Sequence, residues 1–358
     1  MPRRAALLVC TALSLLFGSV SATAEALQPL PYQLGQGLYF PQQGLRIGGY
    51  ISIHYIDLER YPTTLNVNDL SLFLTKELTA RWSFFAEMEI DDALTITADD
   101  TSSRNAHFDL ERLYLDYRAH QSATLRLGRF LTPVGQWNLI HADPLVWTVS
   151  RPLATGAAFS RHATGAMVYG SIHAGRGDLD YWLFRDDNEH LNPFDAEELA
   201  FDPDGASLEL HNNFRHATGA RLLFHMLDEW VTIGASYLSY ELEQPHHHYQ
   251  LGGLDFTWSS RYVDLSGEAI YRRAEDSAIA DERGGYLQAV IPLPHDLYLV
   301  GRRESYRTST LEEVTTLDTL GINYRPQPAI AFKLEYNRGS NNDLVSPDGW
   351  LASFGVLF

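Results

Sequence analysis

The sequence predicts an all-β protein, a transmembrane antiparallel β-barrel of about 16 strands occupying residues 45–358. Two observations predict it. Short segments alternate apolar and polar positions from residue 45 to the end, and the links between them alternate between short and long. A period of 2 sends successive side chains to opposite faces of a strand. Short turns at one end and longer loops at the other mark a barrel threaded through a membrane. A soluble sandwich has no reason to keep that alternation.

The predicted strands are 46–56, 65–76, 81–91, 108–118, 122–131, 162–172, 178–185 and 214–225, then 230–240, 249–258, 262–273, 284–291, 297–307, 314–325, 329–338 and 348–358. Three carry the clearest pattern. In RWSFFAEMEI, Trp82, Phe84, Ala86, Met88 and Ile90 share one face, and Ser83, Phe85, Glu87 and Glu89 the other. In RYVDLSGEAIYRR, Val263, Leu265, Ala269 and Tyr271 oppose Asp264, Ser266, Glu268 and Arg272. In AIAFKLEYNR, Ile330, Phe332, Leu334 and Tyr336 oppose Lys333, Glu335 and Asn337. A membrane barrel turns the apolar set to lipid and the charged set inward. Closure removes the exposed edges of so many strands, and in lipid it satisfies every backbone group. Long links include residues 91–106, 131–160, 186–213 and 274–283; short ones include ELTA, AHQS, MLDE and RPQP.

Composition narrows the function classes. The chain carries 27 Lys+Arg against 45 Asp+Glu, a net charge of −18. A nucleic-acid binder needs a basic footprint, so that class is excluded. Beyond the leader no segment has the eighteen apolar residues of a membrane helix. With 19 Tyr, 17 Phe and 7 Trp there is material for two aromatic girdles.

Residues 1–24 read as a secretory signal: Arg3 and Arg4, an apolar stretch from Ala5 to Val20, and small residues at Ala22-Thr23-Ala24. The only cysteine, Cys10, lies in it, so the mature chain has no thiol chemistry. Residues 25–44 are rich in Pro, Gly and Gln and aperiodic, and read as a periplasmic lead-in. At the other end Trp350, Ala352, Phe354, Val356 and Phe358 alternate with small residues. This ending resembles the closing strand of bacterial outer-membrane barrels, which implies recognition by barrel-assembly machinery through Phe358.

RHATGA occurs at 161–166 and again at 215–220, each time after a very long loop. Continuing the alternation turns Ala166, Val168 and Ile172 outward in one copy, and Ala220, Leu222 and Phe224 in the other. Gly165 and Gly219 would leave room inside for a bulky neighbour. Three readings stay open for Arg161 and Arg215. Each pairs with a loop carboxylate, both meet permeating anions, or both belong to a shared discrete ligand site.

Residues 111–138, ERLYLDYRAHQSATLRLGRFLTPVGQWN, resemble outer-membrane porins of the phosphate-selective porin O/P-like group. Gly128, Arg129, Phe130, Pro133, Gly135 and Asn138 carry the resemblance. It implies a passive solute channel, often trimeric, whose third outer loop narrows the pore. That loop has no run of lysines; it offers Trp137, Asn138, His141, Asp143 and Arg151 as constriction residues. Candidate pore-lining residues are Arg112, Arg126, Arg161, Arg215, Arg221, Arg272 and Lys333, facing Glu87, Glu89, Asp116, Asp264 and Glu268. Opposed charges across a constriction orient polar solutes.

The expected function is passive diffusion of ions and small hydrophilic, including anionic, solutes, with no catalytic residues and no cofactor. Expected partners are outer-membrane lipid, lipopolysaccharide and further copies in a homotrimer. An outer-membrane barrel enzyme, or an adhesin or receptor using the acidic outer loops, is the alternative. His246, His247 and His248 are adjacent and so poorly placed to share one ion; no metal site is assigned. GRGD at 175–178 is good turn chemistry.

Overall fold

The computed structural model describes residues 31–104, 106–140, 142–191, 212–243, 246–309 and 313–358. The predicted signal, His141 and most of the 186–213 loop fall outside them. Sixteen long strands run in order: β1 Leu45–Leu58, β2 Thr64–Glu77, β3 Trp82–Ile96 and β4 His107–His120. Next come β5 Ala123–Leu131, β6 His162–Ala174, β7 Gly177–Asp186 and β8 Phe214–Met226. Then follow β9 Val231–Leu242, β10 His248–Ser259, β11 Asp264–Ala274 and β12 Glu282–Leu293. The last four are β13 Leu297–Arg307, β14 Thr315–Gln327, β15 Ile330–Ser340 and β16 Gly349–Leu357. Each pairs antiparallel with its chain neighbours, and β16 closes on β1 from Gly349 opposite Leu58 to Leu357 opposite Tyr50. No edge is left open.

The alternation read from sequence is the one observed. Leu72, Ile90, Leu127, Leu183, Leu222, Leu254, Leu320 and Phe332 are exposed on the outer wall, where a membrane barrel meets lipid. Aromatic side chains gather at both margins. Trp82 stacks near Tyr117 at the short-turn end with centroids 4.6 Å apart, and Tyr336 against Trp350 at the long-loop end at 5.0 Å. No described helix is long and apolar enough to cross a membrane.

Two regions differ from the sequence expectation. β3 continues to Ile96, five residues into the stretch read as loop. A bulge between Val67 and Asp69, with Asp92 at φ 48°, shifts the register and breaks the period of 2 there. The lead-in carries short strand pieces where it is described: Leu38–Phe40 pairs with Leu45–Ile47, and Tyr32–Gln33 with Gly37–Leu38. Its strand pieces are too short for periodicity to reveal.

The two RHATGA copies flank one strand. Gly165 of β6 lies opposite Asp186 of β7, and Gly219 of β8 opposite Phe184. The Phe184 ring occupies the space over Gly219, where an added Cβ would sit 2.4 Å from a ring carbon. Gly219→Ala is therefore expected to cost about 1–3 kcal/mol through overpacking. Thr218→Ala on the exposed outer face should fall within about 0.5 kcal/mol of wild type. Urea unfolding of the vesicle-reconstituted barrel measures both.

Candidate functional site

The 132–161 segment does not stay outside. It turns into the barrel, and the inward faces of β11 to β16 and β1 hold it. Carboxylates do much of this by accepting loop amides. Glu335 accepts from Val149 N and Ser150 N at 2.7 and 2.8 Å, Glu304 from Leu153 N at 2.6 Å, and Glu268 from Gln136 N and Trp137 N at 2.9 and 2.7 Å. Leu153 opens the short helix α1, Leu153–Ala157, so the Glu304 charge also meets the positive end of that turn.

Cations hold the loop's carbonyls. Arg302 donates to Thr148 Oγ1 at 2.6 Å and to Ser150 O at 2.9 Å, and Arg325 to Pro144 O and Val146 O at 2.9 and 2.7 Å. Asn323 donates to Trp147 O at 3.1 Å. Lys333 Nζ reaches Asp143 O at 2.6 Å, Asp143 Oδ1 at 2.8 Å and Thr148 O at 3.2 Å. His54 Nε2 lies 3.2 Å from Asp143 Oδ1, and Ser353 Oγ donates to the same carboxylate. Burial alone would raise the Asp143 pKa; the Lys333 ammonium, with His54, outweighs it and holds the carboxyl well below its ordinary range.

The neck of the loop is clamped by Asn138. Its amide donates to Thr132 O and Arg161 O at 2.8 and 2.9 Å, while its Oδ1 accepts from Arg151 at 2.7 Å. Gly135 is needed at this turn: φ is 62°, and an added Cβ would lie 1.9 Å from Glu268 Oε2. Of the residues carrying the family resemblance, Gly135 and Asn138 thus shape the loop's entry.

A cavity of about 150 Å³ is lined by Arg112 and Arg126 on the wall, Leu131, Pro133 and Leu139 beside the loop's entry, and Met167 and Trp182. Arg112 pairs with Glu87 and lies 4.8 Å over the Phe85 ring. Arg126 pairs with Asp116 at 2.8 Å and lies 3.5 Å over Tyr114. Carboxylate and ring together hold each guanidinium flat against the wall. Toward the long-loop end Asp69, Glu89 and Asp91 converge.

Several expected pore-lining charges face inward yet meet no open space. Arg221 is fully buried, with both guanidinium branches on Asp255 at 2.6 and 2.8 Å. Arg272 is buried between Glu282, at 2.6 Å, and Ala158 O at 3.3 Å. Lys333 and Glu268 are spent on the loop, and Glu89 accepts a hydrogen bond from the Tyr50 hydroxyl at 2.7 Å. Arg272, Lys333 and Glu268 are enclosed by the folded-in loop, whereas Arg221 and Glu89 are enclosed by their neighbours on the wall. Asp264 is half-buried near the short-turn end. Trp137 is buried edge-on to Tyr286, and Arg151 stays within the loop, where it also donates to Thr155 O.

Arg215 pairs with two carboxylates. It binds Glu241 and the loop carboxylate Glu189, both at 2.9 Å. Arg161 contributes its carbonyl to the loop neck. Arg302, Glu304, Asn323 and Arg325 were not assigned to the site from sequence. Parity along β13 would have found the first two, since Arg302, Glu304 and Tyr306 share the inward face and Arg303 is exposed.

No family model matches the chain. A protein of Aquifex aeolicus (strain VF5) described as uncharacterized is 26% identical over 391 residues, covering 93% of this chain and 86% of its own length. The anion-selective porin of Comamonas acidovorans superposes with a TM-score of 0.54 at 10% identity, over 87% of this chain and 98% of its own. The chain has the porin fold. The outer-membrane channel DcaP of Acinetobacter baumannii agrees, with a TM-score of 0.58 at 12% identity over 90% and 100% of the two chains. At such identities the likeness is one of fold.

Proposed function

We propose that this chain is an outer-membrane porin that passes small hydrophilic solutes by passive diffusion between its inner wall and the folded-in 132–161 loop. The observation that carries this reading is the cavity beside Arg112 and Arg126, inside a closed barrel whose strands β11 to β16 hold the loop. A solute there meets two arginines, each balanced by one carboxylate, facing an apolar loop edge. Anionic solutes are drawn to Arg112 and Arg126, and the half-buried acids Asp69 and Asp91 nearer the long loops oppose them. Residues 1–24 serve as the export signal, 25–44 as a periplasmic lead-in, and Phe358 as a signal to assembly machinery. A homotrimer follows from the same resemblance. Lipopolysaccharide phosphates suit the exposed outer-wall arginines Arg273, Arg283, Arg307 and Arg338.

Substituted cysteine tests the path. With Cys10 in the signal, Arg126→Cys supplies the only thiol of the mature chain. A bulky thiol reagent should then cut the current, and unaltered current would remove this wall from the path. Arg112→Ala with Arg126→Ala leaves Glu87 and Asp116 without their cations. The reversal potential in a KCl gradient should move toward the cation limit.

A further inference from the structure

Three strands assemble, at the long-loop rim of the outer wall, a ligand set that no single stretch of sequence contains. His216 of β8 lies opposite Glu241 of β9, which lies opposite His248 of β10. The rows beneath show where this site stands. Next comes Thr218–Ser239–Gln250, then Ala220–Tyr237–Gly252, Leu222–Ala235–Leu254 and Phe224–Ile233–Phe256. The wall passes from apolar through neutral polar to this charged row, so the site sits above the lipid-facing band, in water.

The side chains converge. His248 Nε2 lies 3.1 Å and His216 Nε2 3.6 Å from the same oxygen, Glu241 Oε2. The two imidazole rings are 5.8 Å apart, and the three potential ligand atoms lie within 4.8 Å of one another. A tetrahedral zinc ion with ligands at 2.0–2.1 Å keeps ligand atoms about 3.3 Å apart, between the two distances seen. The second carboxylate oxygen, Oε1, accepts from Arg215 Nη1 at 2.9 Å, which fixes the carboxylate's orientation. Arg215 in turn is balanced by Glu189, so its charge is partly offset at the site. His246 Nδ1 stands 3.7 Å from Oε1, within reach of a fourth position. His247 turns away, edge-on to Tyr249 at 6.4 Å.

We propose that His216, Glu241 and His248 bind a divalent transition-metal ion of the zinc class at the outer rim. Two neutral imidazoles and a carboxylate suit such an ion and suit calcium or magnesium poorly. Run histidines alone could not supply this geometry; the strand register does. The inference stands independently of whether the barrel conducts.

Cobalt(II) is the probe, because tetrahedral coordination gives it a visible absorption band. Tag-free barrel should bind one Co²⁺ per chain with that band, and Zn²⁺ should displace it. His216→Ala and His248→Ala should each weaken binding about tenfold or more, a loss of about 1.4 kcal/mol or more, and His247→Ala should leave it unchanged. Heat-modifiable gel mobility, read for every variant, certifies the folded barrel. Unchanged affinity in the His216→Ala/His248→Ala double variant overturns the site. So does an equal loss from His247→Ala, which would place binding in the loop histidines alone.

Discussion

Replacing Arg221 with alanine is expected to remove about 3–5 kcal/mol of barrel stability. Arg221 and Asp255 are both enclosed by the wall, and their bidentate pair is joined by Ser236 Oγ at 3.1 Å from Nη1. Deleting the guanidinium leaves the Asp255 carboxylate buried beside Gly234 with its main counter-charge gone. Desolvation that the pair had offset then falls on the lone anion. Replacing both residues, Arg221→Met with Asp255→Leu, should recover most of the loss, because an apolar pair leaves no orphan charge. Urea unfolding of reconstituted barrel measures both, and equal stability of wild type and Arg221→Ala would show that water reaches Asp255.

The second large effect concerns the loop. The triple change Asp143→Asn, Lys333→Met and Glu335→Gln should loosen the 143–150 part of the loop, which Arg302, Asn323 and Arg325 still hold, and raise single-channel conductance. Hydrogen bonds to charged groups contribute about 1.5–3 kcal/mol each, and these residues make several. A loss of about 5.5 kcal/mol suffices to move a two-state equilibrium from 1:99 to 99:1. Arg302 and Glu304 remain as anchors, so the barrel wall itself should stay intact. The Lys333–Asp143 contact itself should persist through mild acid. A carboxylate with a depressed folded pKa contributes stability that is fully present above its unfolded value of about 3.9 and lost only as pH falls through the folded one. Asp143 is such a group, so its anchor loosens in strong acid alone.

Strand positions were legible because lipid outside and polar groups inside impose a period of 2 that local sequence must obey. The same parity placed Arg112, Arg126, Arg221, Arg272 and Lys333 on the inner face. What parity could not give was their partners. Lys333 finds Asp143 from 190 residues away, and Glu335 finds Val149 from 186. A charge bound for an open pore and one bound for a buried loop amide look identical in a strand. The adjacent Arg302 and Arg303 show the limit from the other side. One anchors the loop from within, and the other lies on the exposed wall with Asp318 at 3.4 Å. Bulges hide from alternation too, as the extension of β3 to Ile96 shows. The His216–Glu241–His248 row was invisible because it is a product of register, with ligands on three strands.

The measurement to make is single-channel current from purified, correctly folded mature barrel in a planar bilayer. A porin narrowed by its 132–161 loop predicts stable, uniform conductance steps that grow in the triple loop variant. Folded barrel that passes no current, in wild type and loop variant alike, would contradict a channel between the Arg112–Arg126 wall and the loop.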